Sequence, residues 1–165
     1  MQHTEIVIIT GSPGVGKTTL ARRTCELIQK QLGCIAIHVE VDDVRWMVLG
    51  DKSDHSFHPL WLELVESIVD RALTFAKIVI VEGLFYESKI VEYLHIRYPS
   101  LKVFVLDASL ELCLHRNRNR LPLVERLIDD DVKRLHNIIR PNSWKRLDAN
   151  QKIETLVFQL SNQLN

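Results

Sequence analysis

The sequence predicts a three-layer α/β/α fold, a five-stranded parallel sheet with helices on both faces. Two observations carry this expectation. Apolar runs alternate with amphipathic stretches along the chain, as they do where a parallel sheet is wrapped by helices. The first apolar run also leads straight into a glycine-rich turn with a helical pattern behind it.

The elements follow in order. Glu5-Ile6-Val7-Ile8-Ile9-Thr10 is rich in β-branched residues and reads as a buried strand over 5–10. A helix over 17–32 comes next, and Gly33 suits its end. Further strands are expected over 34–39, 77–82, 101–107 and 144–148. The remaining helices are expected over 59–76, 87–97, 109–119, 124–139 and 150–164. Pro99 stops the helix before the fourth strand. The segment from Gly50 to His58 is the most loop-like, and internal repeats are absent. A length of 165 residues fits one domain, 1–165, with room for a proper core.

The glycine-rich turn is Gly11-Ser12-Pro13-Gly14-Val15-Gly16-Lys17-Thr18, which fits G-x-x-x-x-G-K-[ST] in the strand–loop–helix context that the motif requires. Its glycines let successive N–H groups turn inward on a phosphate chain, and the helix N-terminus adds positive field. Lys17 supplies a charge for the β- and γ-phosphates, and the Thr18 hydroxyl a ligand for Mg²⁺, with Thr19 alongside. The expected fold is therefore that of a phosphate-loop (P-loop) NTPase, and the expected ligands are a nucleoside triphosphate, ATP being the first choice, and Mg²⁺.

Lys plus Arg balances Asp plus Glu at zero net charge, so a nucleic-acid-coating role is not favoured. The charge is unevenly spread. Between Glu40 and Asp70 there are eight acids and two bases; between Arg116 and Arg146 there are nine bases and four acids. The second stretch reads as a cationic wall facing phosphates or as solvated helix faces. Cys25, Cys34 and Cys113 lack metal-type spacing and cannot all pair, which points to a reducing cytoplasm. No signal peptide, transit peptide or long apolar run is read, so no membrane is expected. A monomer and a homodimer are both open.

Ligands of open α/β sheets bind outside the carboxyl ends of strands. The second strand runs into Val41-Asp42-Asp43-Val44-Arg45. Asp42 or Asp43 is placed to accept a hydroxyl proton, Asp42 being the first choice, while Arg45 orients the acceptor. The alternative is that either aspartate caps the helix that follows. His38 reads as a satisfied core histidine. The third strand ends in Glu82, an acid suited to Mg²⁺ or to the acceptor, although aspartate is commoner there. Leu84-Phe85-Tyr86 would floor the acceptor pocket or pack in the core.

In Cys113-Leu114-His115-Arg116-Asn117-Arg118-Asn119-Arg120, Arg116 and Arg120 lie four apart and share one helical face, while Arg118 points away. Two guanidinium groups there can clamp the transferring phosphoryl group from the side opposite the loop. Asp129, Asp130 and Asp131 read as solvated.

With these stretches, joined by Ile-Val-Glu-Gly-Leu-Phe-Tyr and Arg140-Pro141-Asn142-Ser143-Trp144, the chain resembles P-loop kinases of the nucleoside-monophosphate-kinase-like group. Within that group it is most similar to phosphoseryl-tRNA kinase, then to polynucleotide 5′-hydroxyl kinases and related AAA-type ATP-binding proteins. The resemblance spans residues 5 to about 150 and departs from the pattern at Glu82. It implies a short helical lid over about 114–140 carrying Arg116 and Arg120, and Asn117 near the base. It also implies an adenine edge at Asp148-Ala149-Asn150. A tRNA-binding extension is not seen after the kinase stretch. The expected activity is transfer of the ATP γ-phosphate to a hydroxyl of a small molecule. A 5′-hydroxyl polynucleotide or tRNA-linked acceptor and a non-catalytic nucleotide switch are the alternatives, although no guanine-reading Asn-Lys-x-Asp motif is present.

Overall fold

The computed structural model describes residues 4–50, 59–85, 88–121, 126–138 and 140–164. Five parallel strands form its centre: β1 (Glu5–Gly11), β2 (Ala36–Glu40), β3 (Ile78–Glu82), β4 (Lys102–Asp107) and β5 (Lys145–Asp148). Their spatial order is β2-β3-β1-β4-β5. All five strands expected from the sequence are present, each within two residues of its expected bounds. Around them lie α1 (Lys17–Leu32), α2 (Val41–Leu49), α3 (Pro59–Leu73), α4 (Ser88–Arg97), α5 (Leu110–Arg118), α6 (Asp129–His136) and α7 (Ile153–Ser161).

Every residue of β1 and β3 is buried, which explains their unbroken apolar runs. Successive strand side chains point to opposite faces, so each run feeds two cores. Val7, Ile9, Ile78, Ile80, Phe104 and Leu106 meet α1 and α7 through Leu20, Ile28, Leu156 and Leu160. Ile6, Ile8, Val79, Val81 and Val103 meet α3 and α4 through Val65, Val69, Val91 and Leu94. This is the expected three-layer arrangement. Chain order reverses at β1, which pairs with β3 on one side and β4 on the other, and the crevice outside its carboxyl end is where a ligand fits.

Seven helices are seen among the described residues, one more than the sequence predicts. The addition is α2, which begins on the residue after β2 ends, with Glu40 as an extended N-cap. No loop announces it, since Glu40 ends β2 and Val41 opens the helix. Asp42 and Asp43 lie inside its first turn and cap nothing, although their charge suits the positive helix end. The last helix starts at Ile153 rather than 150, because Asp148 holds the Asn150 backbone and side-chain amides in a turn. The helix expected over 124–139 is shorter, being Asp129–His136, and residues 122–125 and 139 lie outside the described residues. Tyr86 and residues 51–58, expected as a loop, also lie outside them. No helix among the described residues is long and apolar enough to cross a membrane.

Candidate functional site

A cleft of about 670 Å³ opens at the carboxyl ends of the strands and is lined by the loop, α2, Glu82, Arg116, Arg120, the stretch leading into α6 and the β5 edge. The loop's shape follows from its glycines. Gly14 has φ 76°, and a Cβ there would sit 2.5 Å from the Cys113 carbonyl oxygen. At Gly11 it would sit 2.4 Å from the Leu106 carbonyl oxygen. The loop is thus packed against β4 and α5, and its backbone stays open to the cleft.

Lys17 closes the loop on itself, its Nζ donating to the carbonyls of Gly11 at 3.2 Å and Ser12 at 3.1 Å. Burial lowers its pKa, against the opposing charges of Glu82 and Asp42. Thr18 Oγ1 donates to Glu82 Oε1 at 2.7 Å, although the two are 64 residues apart. Glu82 is buried at the end of β3. Burial pushes its carboxyl up, but His38, Lys17 and Thr18 outweigh this and hold it below the usual range. A hydroxyl and a carboxylate side by side are hard oxygen donors of the kind Mg²⁺ takes, so these two residues fit the ion.

Opposite the loop, Asp42 and Arg45 face the cleft, one helical turn apart and paired at 3.4 Å. Asp43 is exposed and does not line the cleft. The aspartate pair is therefore separated, and Asp42 is the one that faces the cleft. Glu40 also lines the cleft and was missed by sequence reasoning, although its place at a strand's carboxyl end was the available signal. Burial, then the charges of Glu82 and Asp43, push its carboxyl up to about 7. Trp46 lines the cleft as well, on the helix that was not foreseen.

His38 is not a satisfied core residue. It lies 3.8 Å from Glu82, and its Nε2 has no hydrogen-bond partner among the described residues. Phe85 is a correction too: it is 3 % exposed, packs in the α3–α4 core and donates its N–H to Thr10 Oγ1, while Leu84 faces the cleft. Its aromatic ring is bulk for the core, and the neighbouring aliphatic side chain takes the pocket position.

On α5, Arg116 Nη1 donates to the Val15 carbonyl at 3.0 Å and its Nη2 to the Ala149 carbonyl at 3.4 Å, bridging the loop and the β5 end. Arg120 reaches the same cleft. It does so from beyond the end of α5, in a turn where its N–H bonds to the Asn117 carbonyl, so the shared face does not come from one continuous helix. Arg118 points away and pairs with Asp129. Asp129 and Asp131 are accordingly engaged rather than simply solvated, Asp131 pairing with Arg134 at 2.9 Å and lining the cleft. Arg126, not foreseen as a site residue, lines it too.

Asn117 is corrected. It is 1 % exposed and its amide clasps the Leu127 backbone, donating to the carbonyl at 2.8 Å and accepting from the N–H at 3.2 Å. Both polar atoms tie α5 to the stretch before α6, and neither is turned to a base. At the implied adenine edge Ala149 lines the cleft, but the Asn150 amide is spent on Asp148. Gln151, Ile153 and Leu156 complete that wall.

A family model described as an AAA domain matches residues 7–137. Among solved structures, the chain is similar to a gluconokinase from Sinorhizobium meliloti 1021, with TM-score 0.66 and 14 % identity over 99 % of this chain and 97 % of that one. It is similar to a sugar kinase from Janibacter sp. HTCC2649, with TM-score 0.68 and 19 % identity over 96 % and 93 %. It is also similar to the tunicamycin resistance protein of Deinococcus radiodurans, with TM-score 0.70 and 21 % identity over 98 % and 96 %.

Proposed function

Since the chain belongs to the AAA-domain family, we propose that it is an ATP- and Mg²⁺-dependent kinase that phosphorylates a hydroxyl group of a small molecule. One observation carries this reading. Lys17, Arg116 and Arg120 line one cleft with Asp42 and Arg45, so a phosphate-binding end and an acid-bearing acceptor end share the same space. Structural likeness to a gluconokinase and a sugar kinase is in keeping with a small hydroxylated acceptor.

In this reading the loop amides and Lys17 cradle the β- and γ-phosphates, and Thr18 and Glu82 are the residues that would hold Mg²⁺. When bound, Mg²⁺ neutralises phosphate charge. Arg45 orients the acceptor, and Asp42 takes its hydroxyl proton as the oxygen bonds to the γ-phosphorus. The bond from that phosphorus to the β,γ-bridging oxygen breaks, and ADP leaves with the electron pair. Arg116 and Arg120 stabilise the charge spread over the equatorial oxygens. Little covalent work falls to the protein; positioning and electrostatics supply the rate.

The test is ADP release from ATP over a panel of small alcohols, sugars, nucleosides and 5′-hydroxyl oligonucleotides, each against an acceptor-free blank. Stimulation by a small alcohol or sugar is the expected result. Stimulation by oligonucleotides alone would move the acceptor class, and ATP binding without any acceptor-dependent turnover would leave a nucleotide switch.

A further inference from the structure

Two side chains at the edge of the sheet, His38 and Glu40, have no part in the transfer just described, yet both lie beside Glu82. His38 and Glu40 are two residues apart on β2 and so share a face. It is the face on which Ile78 and Ile80 of β3 meet α1. Glu40 is in register with Glu82 on β3, which brings the three side chains together. One ligand atom from each lies within 4.8 Å of the others.

His38 Nε2 is the distinctive member. It stands 3.8 Å from Glu82 Oε1, beyond hydrogen-bond reach, and is closed off from solvent. No hydrogen-bond partner for it is found among the described residues. Burying an imidazole nitrogen without a hydrogen bond costs free energy that a carboxylate at 3.8 Å offsets only in part, and an ion that accepts nitrogen donors removes that cost. Mg²⁺ takes oxygen donors and makes no use of an imidazole. Zn²⁺ and its neighbours take imidazole and carboxylate together.

We infer that His38, Glu40 and Glu82 form a binding site for a nitrogen-accepting divalent cation of the Zn²⁺ class. Three protein ligands leave a fourth position open, the layout of an exchangeable rather than a closed structural zinc site. Because Glu82 also belongs to the Thr18–Glu82 pair, the two kinds of cation compete for one carboxylate. Binding stands on these three residues alone; the competition rests on the kinase reading.

The test titrates Zn²⁺ alone into the full chain without nucleotide, in a Cys34→Ser background that removes the partly exposed thiol. Calorimetry should show one Zn²⁺ per chain, and the melting temperature should rise with Zn²⁺. His38→Asn and Glu40→Gln should each weaken Zn²⁺ at least tenfold. In His38→Asn, ADP affinity in Mg²⁺ should change less than threefold. If His38→Asn fails to fold by circular dichroism, Glu40→Gln decides. No Zn²⁺ uptake, or uptake of equal affinity in the parent and the folded variants, would overturn the site. Zn²⁺ binding lost in the variants upholds it even where no acceptor is ever phosphorylated, so its fate and that of the kinase reading are told apart.

Discussion

Asp42 and Asp43 are adjacent in sequence and chemically identical, yet one helical step separates a residue facing the cleft from one facing solvent. If Asp42 is the base, Asp42→Asn removes the proton acceptor without touching the loop. Acceptor phosphorylation should fall roughly a hundredfold or more while ATP affinity holds. Asp43→Asn should leave the rate within about threefold, since only a favourable contact with the helix end is lost. Steady-state kinetics and calorimetry on both variants check this, and equal losses would return Asp42 to a purely structural part in α2. The loop residues were legible because a phosphate cradle has one backbone solution, and its glycines are written in the sequence. Phe85, Asn117 and Asn150 were not legible. Each is a polar or aromatic residue beside the site, and only the fold shows whether its side chain is already engaged. Asn117 is spent on Leu127, Asn150 on Asp148, and Phe85 on the core.

Two elements carry predictions of their own. The end of α5 and the turn after it present Arg116 and Arg120 to the cleft and send Arg118 to Asp129. Replacing Arg116 or Arg120 with Ala should slow transfer far more than it weakens ATP binding, and Lys should rescue poorly because it lacks a planar fork. Arg118→Ala removes the same charge from the same segment and should change the rate little. Equal losses in all three would replace a positioned clamp with a general field. On the opposite layer, α3 and α4 are clipped by Tyr98, whose hydroxyl donates to Asp70 at 2.6 Å, with Arg97 on the same carboxylate. Burial, then the Asp70 contact, raises the Tyr98 pKa to about 12, above its ordinary 10. Between those values the unfolded chain has lost a proton that the folded chain keeps, so stability falls as pH rises from 10 to 12. Tyr98→Phe should melt lower at pH 8 and lose less between pH 10 and 12; an unchanged alkaline slope would remove the clip. These elements also show where element order could be read. Strands buried on both faces advertise themselves as apolar runs, whereas α2 follows β2 with no punctuation and takes its helical form from packing of Val41 and Val44 against the sheet.

At the scale of the whole molecule, the cleft is assembled from parts that no single layer owns. The loop follows β1 and starts α1, and Glu82 ends β3. Asp42 belongs to α2 under the second core, and Arg116 ties α5 to the β5 end. A nucleotide seated there contacts several of these parts at once, so it binds the folded chain and not the unfolded one. At a hundredfold excess over its dissociation constant it should add about 2.7 kcal/mol, or roughly 5–10 °C in Tm for a chain of this size. Two variants separate the contact from the scaffold. Lys17→Ala takes away the loop's mobile cation and should abolish turnover and most of the Mg²⁺–ATP shift. Asn117→Ala breaks the clasp on Leu127 and should lower the ligand-free melting temperature, in keeping with about 1–3 kcal/mol for a buried polar group left unpaired. It should still respond to nucleotide, because its amide is engaged with the Leu127 backbone rather than turned to the cleft. Thermal melts of both variants with and without Mg²⁺–ATP make the comparison. A full shift in Lys17→Ala would place the nucleotide elsewhere, and a shift lost in a folded Asn117→Ala would restore that residue to the base-binding wall.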